Sequence, residues 1–172
     1  ESAHYTAFMG ADNYQIGRTM GEYIAHLMGG RGNLVEIRGL EHSSPSIDRH
    51  RGLVDALRRY PEVRLIDSRA GDWSEGSGSR VMIEMLNSGD RVDCVFGQND
   101  RMALGARKVL MDRQPDSKAR FVGIDALATP GGGIREVKDG RLDASYIYPT
   151  RGDRLLQLAV NILEHKPYKK EN

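Results

Sequence analysis

Apolar positions along this chain switch between two periods, about 3.6 residues in the longer stretches and about 2, or none, in the shorter ones. Ile16, Met20, Ile24 and Leu27 share one side of a helix that starts at Asn13 and is stopped by Gly29-Gly30. Leu53, Ala56 and Leu57 mark the inner face of a helix around Ile47 to Arg59, which ends before Pro61 because a residue preceding proline is pushed out of the helical region. Val81, Met82, Met85 and Leu86 mark the next, and Asp100 to Arg113 the one after. A short helix from Ile134 to Lys138 closes at Gly140, and Leu155, Leu158, Ala159 and Ile162 line one side of the last. Between these lie runs of strand length: Tyr5 to Met9, Leu34 to Ile37, Val63 to Ile66, Val92 to Phe96, Phe121 to Ile124 and Leu142 to Ile147. Alternating strand and helix with short turns predicts an α/β fold built on a mostly parallel, doubly wound sheet. No internal repeat and no low-complexity linker interrupts it.

Composition narrows the function classes. A chain of 172 residues, 39% apolar and 28% charged, fills one ordinary core, or one lobe and part of a second. A net charge of +1 supplies no long-range field for nucleic acid or an anionic membrane. No run approaches the ~18 apolar residues of a membrane span, and no stretch of the given sequence reads as a signal peptide. Beginning at Glu1 without methionine, the chain is expected to be a cut piece whose targeting signals lie outside it. The single cysteine, Cys94, sits in an apolar strand and reads as a small buried hydrophobe.

Ligands of open parallel sheets lie beyond the carboxyl ends of the strands, so the chemistry should gather there. The loop after Leu34 to Ile37 runs from Gly39 to Gly52 and carries Arg51 into a helix. Ala70-Gly71-Asp72-Trp73 puts the only tryptophan on a loop. Gln98-Asn99-Asp100 follows the next strand, and Asp125 ends Val122-Gly123-Ile124-Asp125. Guanidinium, amide and carboxylate together pair sugar hydroxyls from several sides, while an indole covers the C–H face of a sugar ring. Each residue also has a plainer role open to it. Arg51 could be a solvated helix residue, Trp73 could cap the core, Asn99 or Asp100 could be a helix N-cap, and Asp125 could open a turn. Pro130-Gly131-Gly132-Gly133 lacks the Lys-Ser/Thr of a phosphate loop and reads as a flexible turn. His26, His42 and His50 make no metal spacing, so neither a metal nor a cofactor is expected.

The run Gln98-Asn99-Asp100-Arg101-Met102-Ala103-Leu104-Gly105-Ala106 resembles the strand-to-helix junction of periplasmic sugar-binding proteins of the ribose-binding type. Arg49-His50-Arg51-Gly52, Gly71-Asp72-Trp73 and Val122-Gly123-Ile124-Asp125 extend the resemblance over nearly the whole chain. It implies a type I periplasmic-binding-protein lobe with a ligand site at Arg51, Trp73, Asn99 and Asp125, and Tyr148 at a hinge where transport proteins often carry glutamine. It further implies that residues 1–11 are the last strand of an otherwise missing N-terminal lobe, 12–148 the C-terminal sugar-binding lobe, and 149–172 the return helix and linker tail. The wording Tyr146-Ile147-Tyr148-Pro149-Thr150-Arg151-Gly152-Asp153 and the tail after Lys166 look most like the periplasmic sensor domains of Bacteroides-type hybrid histidine kinases.

These readings predict a periplasmic domain that binds a small-molecule sugar and signals to a membrane-linked kinase. Membrane contact would come only through flanking segments, no nucleic acid is bound by this domain, and self-association as a homodimer through the last helix is expected. A binding protein of a sugar transporter and the effector core of a lactose-repressor-type regulator share the architecture and stand as alternatives. An enzyme ranks last, because no nucleophile–base pair or cofactor loop accompanies Asp100 and Asp125.

Overall fold

The structure, a computed structural model, describes residues 5–170. The chain divides into two compact units, one formed by the residues from Asn13 to Ile147 and the other by those up to Asp12 together with those from Tyr148 onward.

The larger unit alternates helix and strand: α1 (Asn13–Leu27), β1 (Gly32–Arg38), α2 (Ser44–Leu57), β2 (Val63–Ala70), α3 (Glu75–Leu86), β3 (Cys94–Gly97), α4 (Asp100–Arg113), β4 (Arg120–Asp125), α5 (Gly133–Lys138) and β5 (Ala144–Ile147). All pairings are parallel and the order is β2-β1-β3-β4-β5. From β1 the chain moves outward to β2 and then crosses back to β3 on β1's other side. The reversal leaves a crevice between the carboxyl ends of β1 and β3, the switch point at which such sheets admit ligands.

Side chains alternate across β1 and β3. Val35, Ile37 and Val95 enter a core with Val81, Met82, Met85, Met102 and Leu110 of α3 and α4. On the other side α1 packs closely on α2, and Ile24, Leu34, Leu53, Cys94 and Phe96 have essentially no exposed surface. Cys94 is thus the buried hydrophobe its strand implied, and burial pushes its thiol pKa up.

Two sequence expectations shift. The helix expected from Ile47 begins at Ser44, with Pro45 in its first turn, where a missing N–H costs no intrahelical bond. The segment Tyr5 to Met9, expected as a strand, holds one isolated bridge residue, Phe8. An extended segment becomes a strand only by pairing along its length, and Phe8 alone does so.

The smaller unit contains α6 (Gly152–Leu163). Its termini meet where the Phe8 N–H donates to the Lys170 carbonyl at 2.7 Å and the Lys170 ammonium lies 5.6 Å from the Tyr5 ring. Leu158 is the buried residue of α6, whereas Leu155, Leu156, Val160 and Leu163 remain exposed.

Candidate functional site

At the carboxyl ends of β1 to β4 a cavity of about 330 Å³ is lined by Ser43, Pro45, Arg49, Trp73, Asn99 and Asp125. Three of the residues singled out in the sequence, Trp73, Asn99 and Asp125, are brought together here. Arg51 and Tyr148 are not among the lining residues: Arg51 lies elsewhere on α2, and Tyr148 belongs to the smaller unit.

Helix phase decides which arginine enters. Residues two apart on an α-helix project about 200° from one another. Ser46, Arg49, Leu53 and Ala56 form the buried face of α2, so Arg51 must point away. Its guanidinium is exposed, 3.3 Å from Asp48 and 5.7 Å from the Tyr14 ring. Arg49 instead is 4% exposed. Its Nε donates to Asn13 Oδ1 at 3.0 Å and an Nη donates to the Gln98 carbonyl. Its guanidinium carbon lies 5.5 Å from the Trp73 ring centroid, within cation–π reach. The signal that would have selected Arg49 from sequence is its place four residues before Leu53, on the inward face already marked by Leu53 and Ala56.

Trp73 stands on a left-handed backbone, φ +72°, a costly conformation for a bulky residue. Bonds on both sides hold it there. The Ser74 N–H donates to Asp72 Oδ1 and the Asp72 N–H to Ser77 Oγ, each at 3.0 Å, while Ser74 caps α3 by accepting from the Ser77 N–H. The Asp72 carboxyl is held below its ordinary pKa chiefly by its bonds from Ser74 and Ser77. The indole lies directly over Gly39, where a Cβ would sit 1.9 Å from a ring carbon. Only glycine fits beneath the ring.

Asn99 fills the N-cap role open to it and also fastens the Trp73 loop. Its Oδ1 accepts the Met102 N–H at 2.9 Å and so caps α4, and its Nδ2 donates to the Trp73 carbonyl at 2.9 Å. An amide has two N–H donors and two carbonyl lone pairs, so one of each remains beyond these bonds. Asp100, next to it, turns away from the cavity. Its Oδ1 accepts from Ser145 Oγ at 2.6 Å and its Oδ2 from the Ala126 N–H at 2.9 Å. Gly123 and Gly133 close around this carboxyl, and a Cβ at Gly133 would lie 2.0 Å from Oδ2. Within the Pro130–Gly133 segment, Pro130 and Gly131 make the exposed turn expected, whereas Gly132 and Gly133 are buried. Burial is the main cause lifting the Asp100 pKa to about 6, against its two hydrogen bonds.

Asp125 ends β4 with φ +122° and is followed by Ala126 at φ +47°. Asp100 and Ser145 bind the Ala126 N–H and keep this turn in place. The Asp125 carboxylate accepts no hydrogen bond among the described residues. Burial raises its pKa, and the Arg49 charge opposes the rise. Its lone pairs are therefore left for a donor that enters the cavity, water or a ligand hydroxyl.

Beneath the cavity is a group that sequence reasoning passed over. Gln98 and Glu36 are both fully buried and hydrogen-bonded to one another. The signal was a carboxylate inside the apolar run Leu34-Val35-Glu36-Ile37, at a position facing α2.

The family described as periplasmic binding protein domain matches residues 1–167. The chain belongs to that family. Among solved structures it is similar to the fructose-binding periplasmic domain of the hybrid two-component system BT1754, with 46% identity and a TM-score of 0.93, over 98% of this chain and 56% of that one. The ribose import binding protein RbsB of Salmonella typhimurium is 33% identical over 135 residues, 78% of this chain and 44% of that protein. The galactofuranose-binding protein YtfQ of Escherichia coli is 30% identical over 112 residues, 63% of this chain and 35% of that protein. The chain thus spans about half the length, or less, of these family members. Its doubly wound parallel sheet is the type I periplasmic-binding-protein fold, present here as a partial lobe.

Proposed function

We propose that this chain is the ligand-holding lobe of a periplasmic sugar sensor, and that Arg49, Trp73, Asn99 and Asp125 hold a neutral sugar. The observation that carries this reading is the Asp125 carboxylate, which accepts no hydrogen bond among the described residues and shares one cavity with the Arg49 guanidinium and the Trp73 ring. A sugar hydroxyl donates to the carboxylate and accepts from the guanidinium, and the indole packs on the C–H face. Arg49 takes the role that the resemblance suggested for Arg51. The sensor role rests on the 46% identity to the two-component periplasmic domain, and an import role is the second reading, on the 33% identity to RbsB. D-fructose and D-ribose are the first sugars to try. Tyr148 is proposed to contribute from the hinge in the complete protein, with residues 1–11 and 149–172 belonging to the companion lobe.

Binding without chemistry is part of the proposal. Glycoside hydrolysis uses two carboxyl groups flanking the bond. Asp100 is turned into the β4–β5 packing, which leaves Asp125 as the cavity's carboxylate. A sugar incubated with the protein should be recovered intact.

Calorimetry of the complete periplasmic region against a sugar panel tests the site. Removing one partner of a buried charged hydrogen bond costs on the order of 2–5 kcal/mol. Arg49→Ala and Asp125→Ala should therefore each weaken binding by at least about thirtyfold, and Arg51→Ala should leave it unchanged. Native affinity in both cavity variants would overturn the assignment. Sugar-dependent phosphorylation of a linked kinase would separate sensing from import.

A further inference from the structure

Three parts of the cavity hang on one buried residue that does not line it. Gln98 Oε1 accepts the Gly39 N–H at 3.0 Å, directly under the Trp73 indole. Its Nε2 donates to the Ser46 carbonyl, in the first turn of α2, at 3.0 Å, and to Glu36 Oε1 at 2.9 Å. Its backbone carbonyl accepts from Arg49. Which way round the amide sits is fixed by Glu36. A carboxylate only accepts, so the amide nitrogen must face it, and the amide oxygen is then turned to Gly39. The other Glu36 oxygen accepts from Ser68 Oγ at 2.7 Å and lies 2.6 Å from His50 Nδ1. A fully buried carboxylate at a strand position where an apolar side chain would pack costs stability unless every bond to it is made.

We propose that Glu36 and Gln98 are positioning residues of the ligand site, and that the charge on His50 sets how firmly they hold Arg49 and the floor beneath Trp73. This rests on the sugar-binding reading for what the site holds, but the coupling itself is a property of the unliganded chain.

The groups acting on His50 come from each neighbouring element. Glu36 and Arg38 of β1 act in opposite senses, and β2 contributes the uncharged Ser68 through Glu36. The charged groups of α1 facing α2 are engaged elsewhere, Arg18 with Glu22 and Glu22 with Arg59, while Tyr14 bonds Asp55. On α2 itself Arg51 pairs with Asp48. The hydrogen bond to Glu36 raises the His50 pKa from its usual 6.5, against burial and Arg38. Below that raised value the imidazolium is a charged donor to the carboxylate. Above it the bond weakens and the amide of Gln98 loses part of its anchor.

The single tryptophan makes the coupling readable without a ligand. Trp73 emission of the 172-residue chain is followed from about pH 5 to 9 beside the His50 imidazole resonances, a range that spans histidine titration. Emission should step with a midpoint above 6.5 that coincides with His50. His50→Gln should abolish the step. Glu36→Gln should bring the His50 midpoint below its native value. Gln98→Leu removes one donor to Glu36 but leaves His50 bonded to it, so His50 should still titrate above 6.5 while Trp73 no longer follows, an outcome that general loosening of the fold would not give. Flat Trp73 emission through the native His50 titration, or an unmoved midpoint in Glu36→Gln, overturns the proposal. Titration of the complete protein with fructose on both sides of the midpoint completes the test, with binding several-fold weaker on the alkaline side. A Trp73 step with no binding of any sugar of the panel at either pH supports the coupling and overturns the sugar-binding reading.

Discussion

Asp100 and Asp125 are carboxylates at the ends of neighbouring strands, and their surroundings give them different work. Asp100 gathers the Ala126 N–H and the Ser145 hydroxyl and ties β3, β4 and β5 together. Its carboxyl has a folded pKa of about 6 against an ordinary 3.8. The folded state therefore binds the proton more tightly than the unfolded one. Stability from this group is full below pH 3.8 and is lost as pH rises through 6. Each pKa unit is worth about 1.4 kcal/mol, so the loss is at most about 3 kcal/mol. Asp100→Asn should flatten the pH dependence of urea unfolding between these values. An unchanged slope would mean that the carboxyl is better solvated than its burial indicates.

At the scale of elements, the helices and strands were legible because each presents a clean period, and α4 runs from Asp100 to Arg113 as its pattern indicates. Two things escaped. The cavity arginine was missed because the family motif pointed to Arg51, although Arg49, four residues before Leu53, shares the inward face of α2. The Glu36–Gln98 pair was hidden because its partners lie 62 positions apart, and only the assembled sheet brings β1 beside β3. Close packing between elements was equally invisible. Gly39 lies under Trp73 with no room for a Cβ, so Gly39→Ala must displace the indole or the strand end. Overpacking of this kind costs about 1–3 kcal/mol. The expected result is a lower unfolding midpoint together with red-shifted Trp73 emission. If both stay native, the ring is not held as described.

For the chain as a whole, the exposed leucines of α6 bear on self-association. Leu156 is 69% and Leu163 79% exposed, on a helix whose apolar residues otherwise form a clear stripe. Apolar patches of this kind mark association surfaces. The 172-residue chain should self-associate with rising concentration in sedimentation experiments, and Leu156→Glu with Leu163→Glu should return it to monomer without altering the unfolding of the larger unit. A monomeric native chain at high concentration would argue that α6 is covered within the chain itself.

The left-handed backbones of Trp73 and Asp125 bear on how the chain tolerates change. Asparagine suits the first conformation and glycine both, so neither native residue is what folding alone would choose there. A library randomised at positions 73 and 125 and sorted only for resistance to protease should drift toward glycine and asparagine. The same library sorted on an immobilised sugar should restore an aromatic at the first position and a carboxylate at the second. The two enrichment profiles would divide what the fold demands of these positions from what the ligand does.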